Sequence, residues 1–269
     1  MYNDMNKEKF EGKGDLKISG SGSYQGGIFH NVKVSGVGTI NGDLECIAMD
    51  TSGSSKIHGN VSAEEITTSG SCTINGDVEA AFIKTSGSSN IDGNLSAGTV
   101  KTSGTTKIGG DVKADITDIS GSVTVGGNIH SENVIISGFM SVGGDCEAER
   151  VEASGSFTIG GLLNAGTVKI KVGGKCKVRE IGGEKIEVGQ WKHWGSIGLQ
   201  SIIKTIFNYD FKLNCDSIEG DEIYLENTSA KVVRGNNVTI GKECEIDVVE
   251  YTGTLNVVDG AMVREHRKM

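Results

Sequence analysis

The chain has 269 residues, a formal net charge of −9 and no proline. It contains 41 glycines, about twice the usual ~7% share. The acidic balance and the lack of a basic block argue against nucleic acid as a partner. The ordinary apolar fraction argues against disorder.

In chain order, Met1 to Asp15 is polar and lacks the apolar core of a secretory leader, which predicts a polar tail over 1–15 in a cytoplasmic protein. No run of eighteen apolar residues occurs anywhere, so no spanning helix is expected. The six cysteines form no CxxC pair and are expected to be reduced thiols.

From Leu16 onward a repeat takes over. Ser-Gly pairs fall at Ser52-Gly53, Ser69-Gly70, Ser86-Gly87, Ser103-Gly104, Ser120-Gly121, Ser137-Gly138 and Ser154-Gly155, seventeen residues apart. A second glycine keeps the same beat at Gly59, Gly76, Gly93, Gly110, Gly127, Gly144 and Gly161. A helical hairpin repeat needs over thirty residues, so it does not fit this period. One coil of a single-stranded, three-sided β-helix does, and the chain is predicted to be all-β, with a regular β-helix over 16–188.

Within a turn, apolar residues alternate, as in Cys72, Ile74, Val78, Ala80, Ile83 and Thr85. Along the repeat, each position keeps one size class. One column reads Ile57, Ile74, Ile91, Ile108, Val125, Val142, Ile159; another reads Ala63, Ala80, Ala97, Ala114, Ser131, Ala148, Ala165. Stacking at ~4.8 Å requires such columns. The residue after the second glycine alternates strictly: Asp43, Asn60, Asp77, Asn94, Asp111, Asn128, Asp145. An unbroken aspartate file would repel itself. Asparagine doubles the charge spacing and is expected to donate its amide to both neighbours. A cation-binding file is the competing reading of this column.

A segment over 189–210 breaks the pattern. It holds Trp191, Trp194, Leu199, Ile202, Ile203, Ile206 and Phe207, with helical spacing from Leu199 on. It is predicted to be a partly helical insertion, either folded on the coil's own flank or docking a membrane surface or a partner protein. Alternation resumes over 211–263, giving about fourteen turns in all, and a basic tail over 264–269 ends the chain. Cys176, Cys215 and Cys244 are expected to share one apolar column.

No catalytic cluster, metal site or cofactor motif emerges. His58 and His130 fall on different faces several turns apart, and no phosphate-loop pattern follows a strand. The chain is expected not to be an enzyme.

The glycine-cornered turns, such as TINGDVEAAFIKTSGS (Thr73–Ser88) and KIGGDVKADI (Lys107–Ile116), resemble those of the bactofilins, the polymer-forming bacterial cytoskeletal family. The likeness covers roughly 15–170 well and 232–263 more loosely. It implies a right-handed coil and nucleotide-independent, end-to-end assembly into filaments. It also implies a scaffold for cell-envelope, morphogenesis or motility machinery at the inner face of the membrane. The partners it implies are further copies of the chain and a second bactofilin. An uncapped coil end exposes strand backbone and an apolar cross-section. The candidate assembly residues are Leu16, Ile18 and Ile28 at one end and Tyr251, Leu255, Val257 and Val263 at the other. The alternative is a monomeric β-helix that binds its partner or a membrane through the 189–210 insertion.

Overall fold

The computed structural model describes residues 9–189 and 211–269. Nearly all of them lie in parallel β-strands. Two compact units are formed, Met1–Gly143 and Gly144–Met269.

In the first unit, β1 (Leu16–Ile18), β2 (Ser21–Ile28), β3 (Asn31–Val34), β4 (Val37–Thr51) and β5 (Ser54–His58) lead into a regular rhythm. Eight-residue strands β6 (Val61–Thr68), β8 (Val78–Thr85), β10 (Leu95–Thr102), β12 (Val112–Ile119) and β14 (Ile129–Ile136) alternate with four-residue ones. These are β7 (Ser71–Ile74), β9 (Ser88–Ile91), β11 (Thr105–Ile108), β13 (Ser122–Val125) and β15 (Phe139–Val142). Each strand pairs with its copy one turn on: Val78↔Leu95, Ala80↔Ala97, Ile83↔Val100, Ile74↔Ile91. The long strand's ladder skips Ala81 and Gly98. Every turn therefore has three paired stretches and three corners, as the seventeen-residue beat requires. The isoleucine column is inside, with Ile57, Ile74 and Ile91 buried beside Val61, Val78 and Leu95, whereas the alanine column is only partly so: Ala80 and Ala114 are buried, Ala63 and Ala97 half-buried.

The Ser-Gly corner needs its glycine for close approach. A Cβ on Gly87 would lie 2.0 Å from the carbonyl oxygen of Gly70. The Gly87 N–H donates to Thr68 O at 3.1 Å and Ser88 N–H to Gly70 O at 2.8 Å, so the corners stack through backbone bonds.

Asp and Asn at the other corner work differently from the expected amide ladder. Their Oδ1 atoms accept backbone N–H groups one turn on: Asp43 from Asn60 at 2.8 Å, Asn60 from Asp77 at 2.8 Å, and Asp77 from Asn94 at 2.7 Å. Both residue types offer this oxygen, and neither the carboxylate's second oxygen nor the amide nitrogen is needed for it.

The core is not purely aliphatic. Thr51, Thr68, Thr85 and Thr102 point inward and are buried. Thr85 Oγ1 lies 3.3 Å from Ser89 Oγ, and Thr102 Oγ1 lies 3.4 Å from Thr106 Oγ1. These hydroxyls and Cys72 border a cavity of about 20 Å³. Among the described residues no buried side-chain polar atom lacks a partner.

The second unit holds β16 (Cys146–Ala153), β17 (Ser156–Lys171), β18 (Cys176–Gly189), β19 (Leu213–Leu225), β20 (Thr228–Ile240), β21 (Glu245–Val257) and β22 (Met262–Lys268). Strands β17 to β21 are longer and the offset between partners varies, with irregularities at Ile159/Leu162 and Gly235/Asn237. The inward columns persist: Val168, Ile186, Ile223 and Val238 are buried and in register.

Several expectations are corrected here. Residues 264–268 are not a tail but most of β22, paired with β21. The stretch 1–15 is not merely polar, because Phe10 is buried. Cys176 is in register with Leu213, whereas Cys215 is in register with Ala230, so Cys215 lies outside the column of Cys176. Gly189 closes β18 opposite Lys171. The rest of the predicted insertion, with Trp191, Trp194, Leu199, Ile202, Ile203, Ile206 and Phe207, lies outside the described residues.

Candidate assembly surfaces

The first turn of the first unit and the last turn of the second are finished differently. At the N-terminal end the inward residue Ile18 is already 1% exposed. Its Cδ1 lies where a side chain on Gly38 would sit, 2.8 Å from that position, so the glycine makes room for it. Leu16 is half-buried and Ile28 is exposed. Lys9 pairs with Glu45 and Phe10 is 5% exposed. Together Lys9 and Phe10 line one end of a groove of about 790 Å³ floored by Cys46, Ala63, Ala80, Ala97 and Ala114.

The C-terminal turn of the second unit is open. Leu255 is in register with Val238 and Val257 with Ile240, while Val263 is in register with Ile246. Those inner partners are 0–1% exposed. One turn later, Val257 is 42% exposed, and Leu255 and Val263 are half-buried. Met262, on the outer face, is 59% exposed. Among the described residues, the apolar columns that close the core therefore stop there without a cover. β22 shields only the first half of β21, from Glu245 to Tyr251. Thr254–Val257 has no later strand beside it among the described residues. Tyr251, expected at the edge, is instead covered by β22. It pairs with Lys268, whose Nζ lies 5.9 Å from the ring centroid, and His266 is tilted against it at 6.5 Å.

Charged residues around this end form ordered files. Along one corner run Asp216, Lys231, Asp247 and Arg264, with Lys231–Asp216 at 2.6 Å and Arg264–Asp247 at 3.1 Å. Beside it, Glu219, Arg234, Glu250 and Arg267 are in register, with Arg234–Glu250 at 2.6 Å and Arg267–Glu250 at 3.8 Å. The Lys231 ammonium holds the Asp216 carboxyl below its ordinary range, and Arg267 does the same for Glu265. The sequence signal is the spacing Asp-x-x-Glu, Lys-x-x-Arg, Asp-x-x-Glu, Arg-x-x-Arg in successive turns. It escapes a reading based on apolar columns alone.

Burial raises the thiols of all six cysteines. It pushes those of Cys46, Cys146 and Cys215 up to about 12 and those of Cys176 and Cys244 to about 11. Among the described residues no group of three His, Cys, Asp or Glu side chains converges on a possible metal position. No helix among them is long and apolar enough to cross a membrane.

No family model matches the chain. It is 53% identical over 255 residues to the "Uncharacterized protein YhbE" of Bacillus subtilis (strain 168), an alignment covering 94% of this chain and 98% of that protein. It is 36% identical over 109 residues to the "Uncharacterized protein YhbF" of the same organism, covering 40% of this chain and 42% of that one. Among solved structures, the C-terminal domain of the Caldicellulosiruptor kristjanssonii tapirin aligns with 95% of this chain and 91% of its own length. That alignment has 15% identity and a TM-score of 0.35, too low to support any inference. The near-complete match to YhbE places the chain in that protein's family.

Proposed function

We propose that this protein is a non-enzymatic scaffold that self-associates end to end, a bactofilin-like cytoskeletal element that polymerises without nucleotide. The observation that carries this reading is the uncovered last turn. Leu255, Val257 and Val263 continue columns whose inner members are fully buried, yet Val257 is exposed and Leu255 and Val263 are only half-buried. Apolar surface of this kind, beside unpaired strand backbone, is the usual mark of an edge that another chain covers.

A second copy supplies a first turn of matching class. By the repeat, Leu16 and Ile18 occupy the positions equivalent to Leu255 and Val257. Because Ile18 is already covered, the N-terminal side of the contact is made by Leu16, Ile28 and strand backbone. The proposed location is the cytoplasm, with the scaffold held near the inner membrane face.

The test is negative-stain electron microscopy and sedimentation of the purified chain without nucleotide across a salt series. Filaments or sheets are expected. Leu255→Arg is expected to leave β-sheet circular dichroism unchanged and to abolish assembly. Discrete particles at every salt concentration, or filaments that survive Leu255→Arg, would overturn the C-terminal contact.

A further inference from the structure

We infer that the edge of β22 is built to receive an acidic β-strand from a different protein, paired in parallel with carboxylates facing Arg264 and Arg267. The inference rests on the reading of the C-terminal turn as an assembly surface and deepens it by naming a partner that takes this turn in place of a further copy, and so ends a filament at this face.

The argument is one of alternation. β19 carries Asp216 and Glu219, β20 carries Lys231 and Arg234, β21 carries Asp247 and Glu250, and β22 carries Arg264 and Arg267. Each pair has the same spacing of three, so each turn presents its two charges at the same two places. The sign reverses at every step. Opposite charges on adjacent strands attract, and like charges placed directly opposite destabilise. The cations of β20 have carboxylates on both sides. Arg234 is in register with Glu219 below and Glu250 above. Lys231 is bonded to Asp216 and also feels the field of Asp247.

Among the described residues, the cations of β22 have carboxylates on one side only. Arg264 meets Asp247, and Arg267 meets Glu250 together with Glu265 of its own strand. Their side chains are 74% and 54% exposed. The next strand in the sequence of signs is another Asp-x-x-Glu.

The chain's own first turn does not provide it. Gln25 is in register with Asn41, and Ile28 with Glu45. By the repeat these two residues hold the places that would face Arg264 and Arg267, and neither is charged. A second copy matches the apolar columns but leaves both guanidiniums without a carboxylate. A different chain whose edge strand carries the acidic pair satisfies both requirements. Main-chain bonds along such an added strand supply affinity, and the two charge positions supply selection.

β21 itself is the natural probe, since it is the strand that β22 already pairs with on its other side. A fluorescent peptide with the sequence of Glu245–Val257 would be titrated against the full chain at low salt. A matched peptide carrying Asp247→Lys and Glu250→Lys serves as the control. The acidic peptide is expected to bind on the order of tenfold more tightly, as two exposed charge contacts and the relief of two repulsions would give. Arg264→Gln with Arg267→Gln is expected to remove the preference, and Arg264→Lys with Arg267→Lys to keep most of it. Circular dichroism of each variant checks that the coil is intact. Equal binding of the two peptides, or binding of neither, would overturn the inference. Sedimentation of the unmodified chain alone tests self-association separately. Assembly without peptide preference would leave the scaffold reading standing and remove this one.

Discussion

The Oδ1 of Asn60 accepts the backbone N–H of Asp77 at 2.8 Å, one full turn further along the coil. Asp77 then repeats the arrangement with Asn94 at 2.7 Å. A corner N–H that would otherwise rely on water is thereby tied to the preceding turn. Asp77→Asn keeps the accepting oxygen and is expected to change stability by less than about 0.5 kcal/mol. Asp77→Ala removes it and is expected to cost roughly 1 kcal/mol. Urea denaturation of the two variants decides the point. Equal losses would mean that the charge, and not the oxygen, is what the corner uses.

The Ser-Gly corner makes a harsher demand. A side chain on Gly87 would meet the Gly70 carbonyl oxygen at 2.0 Å, and the obstacle is backbone, which cannot swing aside. Gly87→Ala is expected to destabilise by roughly 3 kcal/mol, at the upper end of overpacking costs. Gly42 has positive φ but open space around it. Gly42→Asn, which tolerates that conformation, is expected to cost less. Thermal melts of the two variants give the comparison, and equal costs would mean that close approach is not what fixes the glycine.

The coil was legible because stacking forces each inward position to repeat its size at a fixed interval, as in Ile57, Ile74 and Ile91. The same logic did not reveal the corner chemistry. Asp and Asn alternate as charge spacing would have them, yet the structural bond uses an oxygen that both possess. Phe10 was missed because one aromatic among charged neighbours carries no period. The groove that receives it is assembled from Cys46, Ala63 and Ala80, distant in sequence. Residues 264–268 read as a tail because their outward charges outnumber apolar positions. What makes them a strand is backbone pairing to β21. The acidic and basic pairs of β19 to β22 were in plain view but become a pattern only once the register places them side by side.

The thiols predict an alkaline limit. A thiol ordinarily titrates near 9.0, and burial pushes Cys146 to about 12 and Cys176 to about 11. Above about pH 9 the unfolded chain loses these protons while the folded chain keeps them. The unfolded state then binds fewer protons, so stability falls as pH rises from about 9 toward 11 or 12. Below pH 9 both states hold the protons and the effect vanishes. Cys146→Ala is expected to flatten the fall between pH 9 and 11, measured by chemical denaturation at stepped pH. An unchanged slope would show that lysines or tyrosines, and not this thiol, set the limit.

Phe10 offers a local test at the other end of the chain. It is 5% exposed and shares its groove with Cys46, whose neighbour Glu45 pairs with Lys9. Among the described residues, removing the ring takes away the only large apolar group that the groove lining receives from outside the coil strands. The coil itself closes through its own columns, so the loss is confined to local opening and does not become a global one. Phe10→Ala is therefore expected to leave the main thermal transition nearly in place. The rate at which Cys46 reacts with a disulfide reagent is expected to rise roughly tenfold, the effect of about 1.4 kcal/mol in an opening equilibrium. Cys146, in the second unit, is the internal control and keeps its native rate. If both thiols accelerate together, Phe10 supports the fold as a whole. If neither does, its burial contributes nothing to holding the groove closed, and Cys46 is protected by the stacked strands alone.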